Sequence, residues 1–207
     1  MQGVLKELEE QKKRNLLVVI SGPTCSGKDT VMKALLERNS NMTRLVTTNS
    51  RPKRPGEREG VDYYFVSQEE FERLIGEGAF FEWVEYRGSY RGTQKRHVKE
   101  ALASGKDVIW RIDVRGVKNI AEKVRKEIKR VVFIFLVEEL EVLKKRMERR
   151  ATEDPRWRNW SVDRALWEMD QYQEFDYVVR NAEGKLEETV KMIEAIVTAE
   201  KLRVRRS

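Results

Sequence analysis

The chain has one cysteine and one histidine among 207 residues. A single cysteine excludes an intrachain disulfide and fits a reducing compartment, so we expect a cytoplasmic protein. A lone histidine gives no support for a histidine-ligated metal site. No apolar run approaches the ~20 residues of a membrane-spanning helix, and the charged residues 1–14 lack the apolar core of a signal peptide.

What the chain does have is charge: 37% of its residues are charged, 40% are hydrophobic, and the net charge is +7. This composition indicates a globular chain long enough for one domain with a sizeable core. Excess positive charge suits a nucleic acid, an acidic membrane or a small polyanion. Because there is no helix-turn-helix, zinc-ligand spacing or aromatic RNA-binding signature, we expect a small-molecule partner, with no nucleic acid and no membrane. A monomer and a homodimer both remain open.

A glycine-rich turn joins the first apolar run to the first helical pattern. Residues 16–20 are apolar, and residues 21–30 read SGPTCSGKDT. Strand, glycine loop, lysine and helix are the context of a phosphate-binding loop. Gly22 and Gly27 permit a tight turn with converging backbone N–H groups, and the helix directs its positive end at the same anion. Lys28 adds a mobile charge for the outer phosphates of a nucleotide.

Short apolar runs alternate with helical patterns along the rest of the chain. Continuous apolar runs predict strands buried on both faces, at residues 107–112, 131–136 and 177–179. Helical patterns cover residues 28–38, 94–104, 116–128, 139–150, 161–173 and 184–203. This alternation predicts an α/β fold in which helices flank a parallel sheet, of the type found in P-loop NTPases.

Two stretches interrupt the alternation. Residues 44–93 predict an inserted mixed α+β subdomain, with a helix capped by Ser67 and a strand over residues 80–86. Residues 138–168 are rich in arginine and predict a mobile helical lid. The core then comprises about 15–43, 94–137 and 169–207, and residues 1–14 form a charged extension with a helix over 3–13. His97 falls in a polar run and is expected to face water.

The insertion carries groups suited to a nucleotide acceptor. Arg51 and Arg54 stand three residues apart, and the prolines around them reduce the cost of ordering a phosphate clamp. Glu82 lies near hydroxyl side chains, and a buried carboxylate favours guanine, which presents two N–H donors on its Watson–Crick edge. Read alone, Glu82 is better interpreted as a solvent-facing strand residue.

Together these motifs resemble the guanylate kinase family, over about residues 16–195. The motifs that carry the resemblance follow in order along the chain: the phosphate loop, TTNSRPKRPGE (47–57), GVDYYFVS (60–67), FEW (81–83), GT (92–93), IDVRGV (112–117), LKKR (143–146) with Arg150, and DYVVRN (176–181). Such kinases transfer the γ-phosphoryl group of ATP to GMP with Mg²⁺. The insertion is then the GMP-binding region.

The resemblance also implies a role for each matching position. Lys28, Arg146, Arg150 and Arg164 are implied to act on the phosphates during transfer. The ATP site is implied to comprise Gly22, Pro23, Thr24, Cys25, Ser26, Gly27, Lys28, Asp29, Thr30 and Asn181. The GMP site is implied to comprise Thr47, Arg51, Arg54, Tyr63, Glu82, Arg91, Thr93 and Asp113. In that set Thr47, Glu82, Thr93 and Asp113 read guanine, whereas the others hold the phosphate.

The chain departs from the family pattern at several positions. Asp29 replaces the hydroxyl residue that ligates Mg²⁺, and Arg111 stands where the family has an acid. We expect these changes to be linked, so that Asp29 reaches Mg²⁺ and Arg111 pairs with Asp29 or with a phosphate. The alternative is that substrate phosphates and water hold the metal. Arg91 stands where the family has a phosphate-binding tyrosine, and the lid looks longer than usual around Trp157.

Two other functions stay open at this point. Gly-Lys-Asp loops also occur in relatives that phosphorylate a ribose bisphosphate, so ribose 1,5-bisphosphate is an alternative acceptor. A non-catalytic guanylate-kinase-like binding module is the alternative from another class. Such modules typically lack an intact phosphate loop, whereas this chain retains Lys28 and both loop glycines.

Overall fold

The computed structural model describes residue 6 and residues 14–86, 88–153 and 162–204. The described strands are β1 (Leu17–Ser21), β2 (Met42–Arg44), β3 (Thr48–Asn49), β4 (Tyr64–Phe65), β5 (Phe80–Tyr86), β6 (Ser89–Gln94), β7 (Asp107–Arg111), β8 (Val131–Val137) and β9 (Tyr177–Arg180). The described helices are α1 (Lys28–Arg38), α2 (Gln68–Gly76), α3 (Lys95–Ala103), α4 (Val114–Glu127), α5 (Leu140–Glu153), α6 (Val162–Asp170) and α7 (Leu186–Leu202), with a 3₁₀ turn at Gln171–Glu174.

A five-stranded parallel sheet in the order β2-β7-β1-β8-β9 forms the centre of the molecule. Alternate residues of β1 face opposite sides of the sheet. Val18 and Ile20 pack in a cluster with residues of α1 and α7. Leu17 and Val19 pack in a second cluster with residues of α3 and α4. The predicted α/β fold, with helices flanking a parallel sheet, is confirmed.

A second, four-stranded sheet in the order β4-β3-β6-β5 contains both parallel and antiparallel pairs. Helix α2 packs on it through Phe71 and Leu74, which contact Phe80 in a small separate cluster. The Ser67 hydroxyl accepts a hydrogen bond from the Glu70 backbone N–H at 3.1 Å, as the capping pattern predicts. The division of the chain into core, insertion and lid remains a prediction.

Two expectations about burial were wrong. His97 is only 6% exposed, because the Tyr64 ring stacks on its imidazole at 3.9 Å between centroids. In β9, Val178 is 51% exposed, because this strand lies at the edge of the central sheet. The helix expected over residues 3–13 and the lid segment around Trp157 lie outside the described residues.

Candidate active site

The phosphate loop turns sharply between β1 and α1, and two of its positions need glycine. Gly22 has φ +147°, and a Cβ there would lie 2.1 Å from the Leu136 carbonyl oxygen. Gly27 has φ +90°, and a Cβ there would lie 2.2 Å from the Asn181 side-chain nitrogen. Cys25, also with positive φ (65°), is buried within the turn. The loop therefore fits against β8 and the residues after β9 with no room for a side chain at either glycine.

Asn181 supports the loop from behind. Its side-chain N–H donates to the Ser26 carbonyl at 2.7 Å, and its oxygen accepts from the Thr189 hydroxyl at 3.1 Å. Asn181 is 6% exposed, so these bonds are shielded from water. The family resemblance implies that Asn181 lies near adenine. In the structure its side chain also holds the phosphate loop in place.

Lys28 folds back over the same loop. Its Nζ donates to the carbonyls of Gly22 at 2.7 Å and Pro23 at 2.8 Å. Burial, together with the nearby positive charge of Arg111, lowers the pKa of Lys28 to about 8. Asp29 and Thr30 follow at the exposed first turn of α1. The ammonium is therefore held at the mouth of the loop, where a phosphate would meet it.

Helices α5 and α6, which belong to the predicted lid, also reach the loop. Arg146 of α5 donates to the carbonyls of Cys25 at 3.3 Å and Asn181 at 3.4 Å. Arg164 of α6 pairs with Glu168 at 3.0 Å. The side chain of Arg150, a further predicted catalytic group, lies outside the described part of the chain.

Glu168 is a site residue that sequence reasoning missed. It is 3% exposed, and its carboxylate accepts from the backbone N–H of Thr24 at 2.7 Å and from the Thr24 hydroxyl at 3.2 Å. The only signal in the sequence is the i,i+4 spacing from Arg164, which many solvated helices share. An acidic group on α6 therefore links this helix to the phosphate loop.

A pocket opens beside the loop, between the two sheets. Residues that line it are Met32, Arg44, Leu45, Thr47, Tyr63, Glu82, Val84, Arg91, Arg111, Ile112 and Asp113. Five of the eight predicted acceptor-binding residues are in this lining: Thr47, Tyr63, Glu82, Arg91 and Asp113. The structure thus brings together side chains from β5 and β6, from the segments just before β3 and β4, and from the segment after β7.

Glu82 is a partly buried acid that lines this pocket. Its carboxylate accepts a hydrogen bond from the Thr93 hydroxyl at 2.7 Å across the β5–β6 pair. Burial raises the pKa of Glu82 to about 7, and the negative charge of Asp113 adds to that rise. The Thr93 hydrogen bond and the Arg91 charge oppose the rise in pKa. Asp113 is fixed as the N-cap of α4, where it accepts from the Gly116 N–H at 2.8 Å.

The two arginines of the predicted phosphate clamp, Arg51 and Arg54, are not part of the pocket lining. Arg51 pairs with Glu57, with one N–H···O contact of 2.7 Å, and lies 5.4 Å from the centre of the Tyr63 ring. Arg91 lies at the same distance from that ring. Arg54 is exposed, and its backbone N–H donates to Glu57 at 2.9 Å. Tyr63 is therefore flanked by two guanidinium groups.

Asp29 and Arg111 form an ion pair, one of the two pairings expected from their linked departures, at 3.0 Å between Nε and Oδ1. The third cation of the lining, Arg44, was not singled out from the sequence. It donates to the Asp62 carbonyl at 3.1 Å. Because Arg111 also lines the pocket, the phosphate loop and the pocket meet at this ion pair.

Comparison with known proteins decides the family. A family model described as guanylate kinase matches residues 13–200. A guanylate kinase of Halalkalibacterium halodurans is 41% identical over 191 residues, which cover 92% of this chain and 91% of that protein. The chain belongs to the guanylate kinase family.

The same likeness holds for other guanylate kinases. The protein named guanylate kinase 2, chloroplastic/mitochondrial, of Oryza sativa subsp. japonica is 40% identical over 190 residues, which cover 91% of this chain and 66% of the rice protein. The crystal structure of the guanylate kinase from Anaplasma phagocytophilum aligns with a TM-score of 0.67 at 30% identity, over 92% of this chain and 88% of that one. Within the described residues, this guanylate kinase family member has no helix that is both long and apolar enough to span a bilayer.

Proposed function

We propose that this chain is a guanylate kinase that transfers the γ-phosphoryl group of ATP to GMP, and also to dGMP, giving ADP and the nucleoside diphosphate. The observation that carries this proposal is the partly buried Glu82 carboxylate, with its raised pKa, in a pocket that opens beside the phosphate loop. A phosphate loop alone accommodates many acceptors. A partly buried acid beside it supplies the means to select guanine.

The pocket chemistry matches the Watson–Crick edge of guanine. Its N1–H and 2-amino group are donors, and they require acceptors such as the carboxylates of Glu82 and Asp113. Adenine places an acceptor at N1, which would face a carboxylate and leave buried polar groups unpaired. A sugar phosphate has no such edge, so ribose 1,5-bisphosphate makes less use of Glu82 and Thr93 than GMP does. Thr47 completes the polar groups assigned to the base.

The acceptor phosphate is assigned to the cationic end of the same pocket. Tyr63 offers a hydroxyl donor, and Arg91 and Arg51 flank its ring. Arginine suits this role because its planar fork matches phosphate oxygens in pairs. Arg54, which is exposed, closes over the phosphate in this proposal.

Transfer requires positioning and charge neutralisation more than covalent chemistry. An acceptor phosphate oxygen forms a bond to the γ-phosphorus, while the bond from that phosphorus to the β,γ-bridging oxygen breaks and leaves its electron pair on ADP. Lys28 stabilises the outer phosphates of ATP on the loop. Arg146, Arg150 and Arg164 add charge from the lid, which excludes water as a competing acceptor.

The residues present fit a Mg²⁺ ion that is held mainly by substrate. Among the described residues no three candidate metal ligands cluster, whereas Asp29 presents a carboxylate with 59% of its side chain exposed. Mg²⁺ typically keeps several waters and uses one or two carboxylates together with substrate phosphates. When bound, the ion neutralises charge on the β- and γ-phosphate oxygens. Asp29 is the protein ligand in this proposal.

The test is ADP release from ATP and Mg²⁺ with each of six acceptors: GMP, dGMP, AMP, UMP, CMP and ribose 1,5-bisphosphate. We expect turnover with GMP and dGMP only. Turnover with the sugar phosphate alone would contradict the assignment of Glu82 and Asp113 to guanine. Failure to bind ATP at all would instead support a binding module without catalysis.

A further inference from the structure

Arg111 occupies the boundary between the two nucleotide sites. It is the last residue of β7, and it pairs in register with Ile20 of β1, two residues before Gly22 of the phosphate loop. The same residue lines the acceptor pocket with Glu82 and Asp113. The carboxyl ends of parallel strands meet at one edge of the sheet, so the position of Arg111 is fixed by the fold rather than by a flexible loop.

The present partner of Arg111 is a weak one. Asp29 accepts from its Nε at 3.0 Å, but the two side chains are 27% and 59% exposed. An ion pair this open to water contributes little, because solvent screens the attraction and both side chains lose freedom. Phosphate oxygens brought close by two bound nucleotides would compete strongly for the guanidinium, since charge-assisted paired hydrogen bonds are among the strongest that arginine makes.

We propose that Arg111 is an additional catalytic residue of this chain, whose guanidinium leaves Asp29 when both nucleotides bind and contacts the phosphate oxygens between donor and acceptor. The inference rests on the proposed function. Asp29 is then released to serve as the metal ligand, so one exchange of partners supplies both the cation for the phosphates and the carboxylate for Mg²⁺.

The alternative role for Arg111 is structural: it would only neutralise Asp29. The two roles differ in the group on which the positive charge of Arg111 acts, which is either Asp29 or the bound ligand. A neutralising Arg111 acts through Asp29, so its removal has no effect once Asp29 is uncharged. A phosphate-binding Arg111 acts on ligand, so its effect persists without Asp29 and is largest for a ligand that occupies both sites at once.

The experiment measures binding by calorimetry without metal, using ADP, GMP, and adenosine and guanosine joined through five phosphates. In Arg111→Met we expect the linked ligand to bind roughly 10- to 100-fold more weakly, the loss that follows removal of a hydrogen-bonded charge. Binding of ADP or GMP alone should change less than about 3-fold, because neither brings phosphates from both sides. Lys33→Met is the matched control, since Lys33 is an exposed cation on the same helix as Asp29 and pairs with Glu37 at 3.8 Å.

The same measurement in an Asp29→Asn background separates the roles. Persistence of the loss in Asp29→Asn/Arg111→Met supports phosphate binding; its disappearance overturns the proposal. Arg111→Met should lower kcat roughly 10²-fold. Arg111→Lys, which keeps the charge and loses the planar guanidinium, should recover part of this kcat and part of the linked-ligand affinity.

Melting curves establish that each variant is folded. If the wild-type chain turns over no GMP, the proposed function fails; if it does and Arg111→Met retains full kcat and linked-ligand affinity, only this inference fails.

Discussion

The proposed donor and acceptor sides of the site are built in different ways. On the donor side, backbone conformation makes the site and side chains bind the protein itself: Lys28 donates to loop carbonyls, Asn181 to Ser26, and Glu168 accepts from Thr24. On the acceptor side, side chains of the pocket make the site. Glu82 is partly buried and has a raised pKa, and cations such as Arg91 lie nearby.

The difference follows from what each side must recognise. Every nucleoside triphosphate carries the same three phosphates, so converging backbone N–H groups and one lysine are sufficient for the donor. Guanine differs from adenine mainly in its pattern of donors and acceptors, and reading that pattern requires placed side chains. Donor-side changes should therefore affect folding and turnover, whereas acceptor-side changes should affect affinity and choice of substrate.

The largest effect is expected for Lys28→Met. This change keeps the apolar stem and removes the charge at the mouth of the loop, so we expect kcat to fall roughly 10³-fold. The KM for GMP should change little, because Lys28 is absent from the pocket lining. Steady-state kinetics with both substrates varied gives the two values. If Lys28→Met raised only the KM for GMP and left kcat unchanged, the proposed difference between the donor and acceptor sides would be wrong.

Gly27→Ala tests whether the donor side depends on backbone conformation. The new Cβ would be placed at φ +90° and 2.2 Å from the Asn181 side chain, so we expect a loss of about 2–5 kcal/mol in the free energy of unfolding. Gly56→Ala is the matched control, since Gly56 has φ +84° but nothing within 4 Å of the added atom. The control should lose only about 1–2 kcal/mol, from strain alone. Equal losses in urea unfolding would show that the contact with Asn181 is unimportant.

Glu82→Gln tests the acceptor side. The amide replaces one acceptor by a donor, so kcat/KM for GMP should fall roughly 10²-fold while binding of ATP is unchanged. Glu85→Gln, on the exposed part of the same strand, should change neither. An unchanged preference for GMP over AMP in Glu82→Gln would contradict the role assigned to this carboxylate.

The raised pKa of Glu82 adds a pH dependence with a definite sign. Because that pKa is about 7 against an ordinary value of 4.5, kcat/KM for GMP should fall as pH decreases below about 7 and the carboxylate becomes protonated. The phosphate of GMP itself titrates near pH 6 and also contributes to the pH dependence of kcat/KM. The Glu82→Gln variant should keep only this contribution from the phosphate. The folded state also holds more protons than the unfolded state between pH 4.5 and 7, so the contribution of Glu82 to stability decreases as pH rises through this window.

Local signals predicted much of this molecule correctly. The strand, loop and helix around Lys28 follow from residues adjacent in sequence, and the parallel sheet follows from continuous apolar runs. The pairing of Asp29 with Arg111 was expected from two linked departures in the family pattern. In each case the sequence itself contains the information, either as spacing or as a pattern shared with relatives.

The rest depends on contacts between distant residues. Glu168 lies 144 positions from Thr24, so no local pattern connects the two. Strands β3 and β4 have two residues each, which is too few to show an alternation of apolar and polar residues. His97 was expected to face water because its neighbours in sequence are polar, but the Tyr64 ring covers it. Tertiary packing decides such positions after the local preferences are set.

The smallest effect is expected for Ser67→Ala, which tests a purely local prediction on the acceptor side. The hydroxyl of Ser67 accepts one hydrogen bond, from the Glu70 backbone N–H, at the start of α2. Its loss should lower the free energy of unfolding by about 1 kcal/mol. Helix α2 supports the second sheet through Phe71 rather than through Ser67, so kcat and the KM for GMP should stay at wild-type values. A raised KM for GMP with unchanged stability would mean that the start of α2 takes part in acceptor binding, and the acceptor side would then extend beyond its pocket.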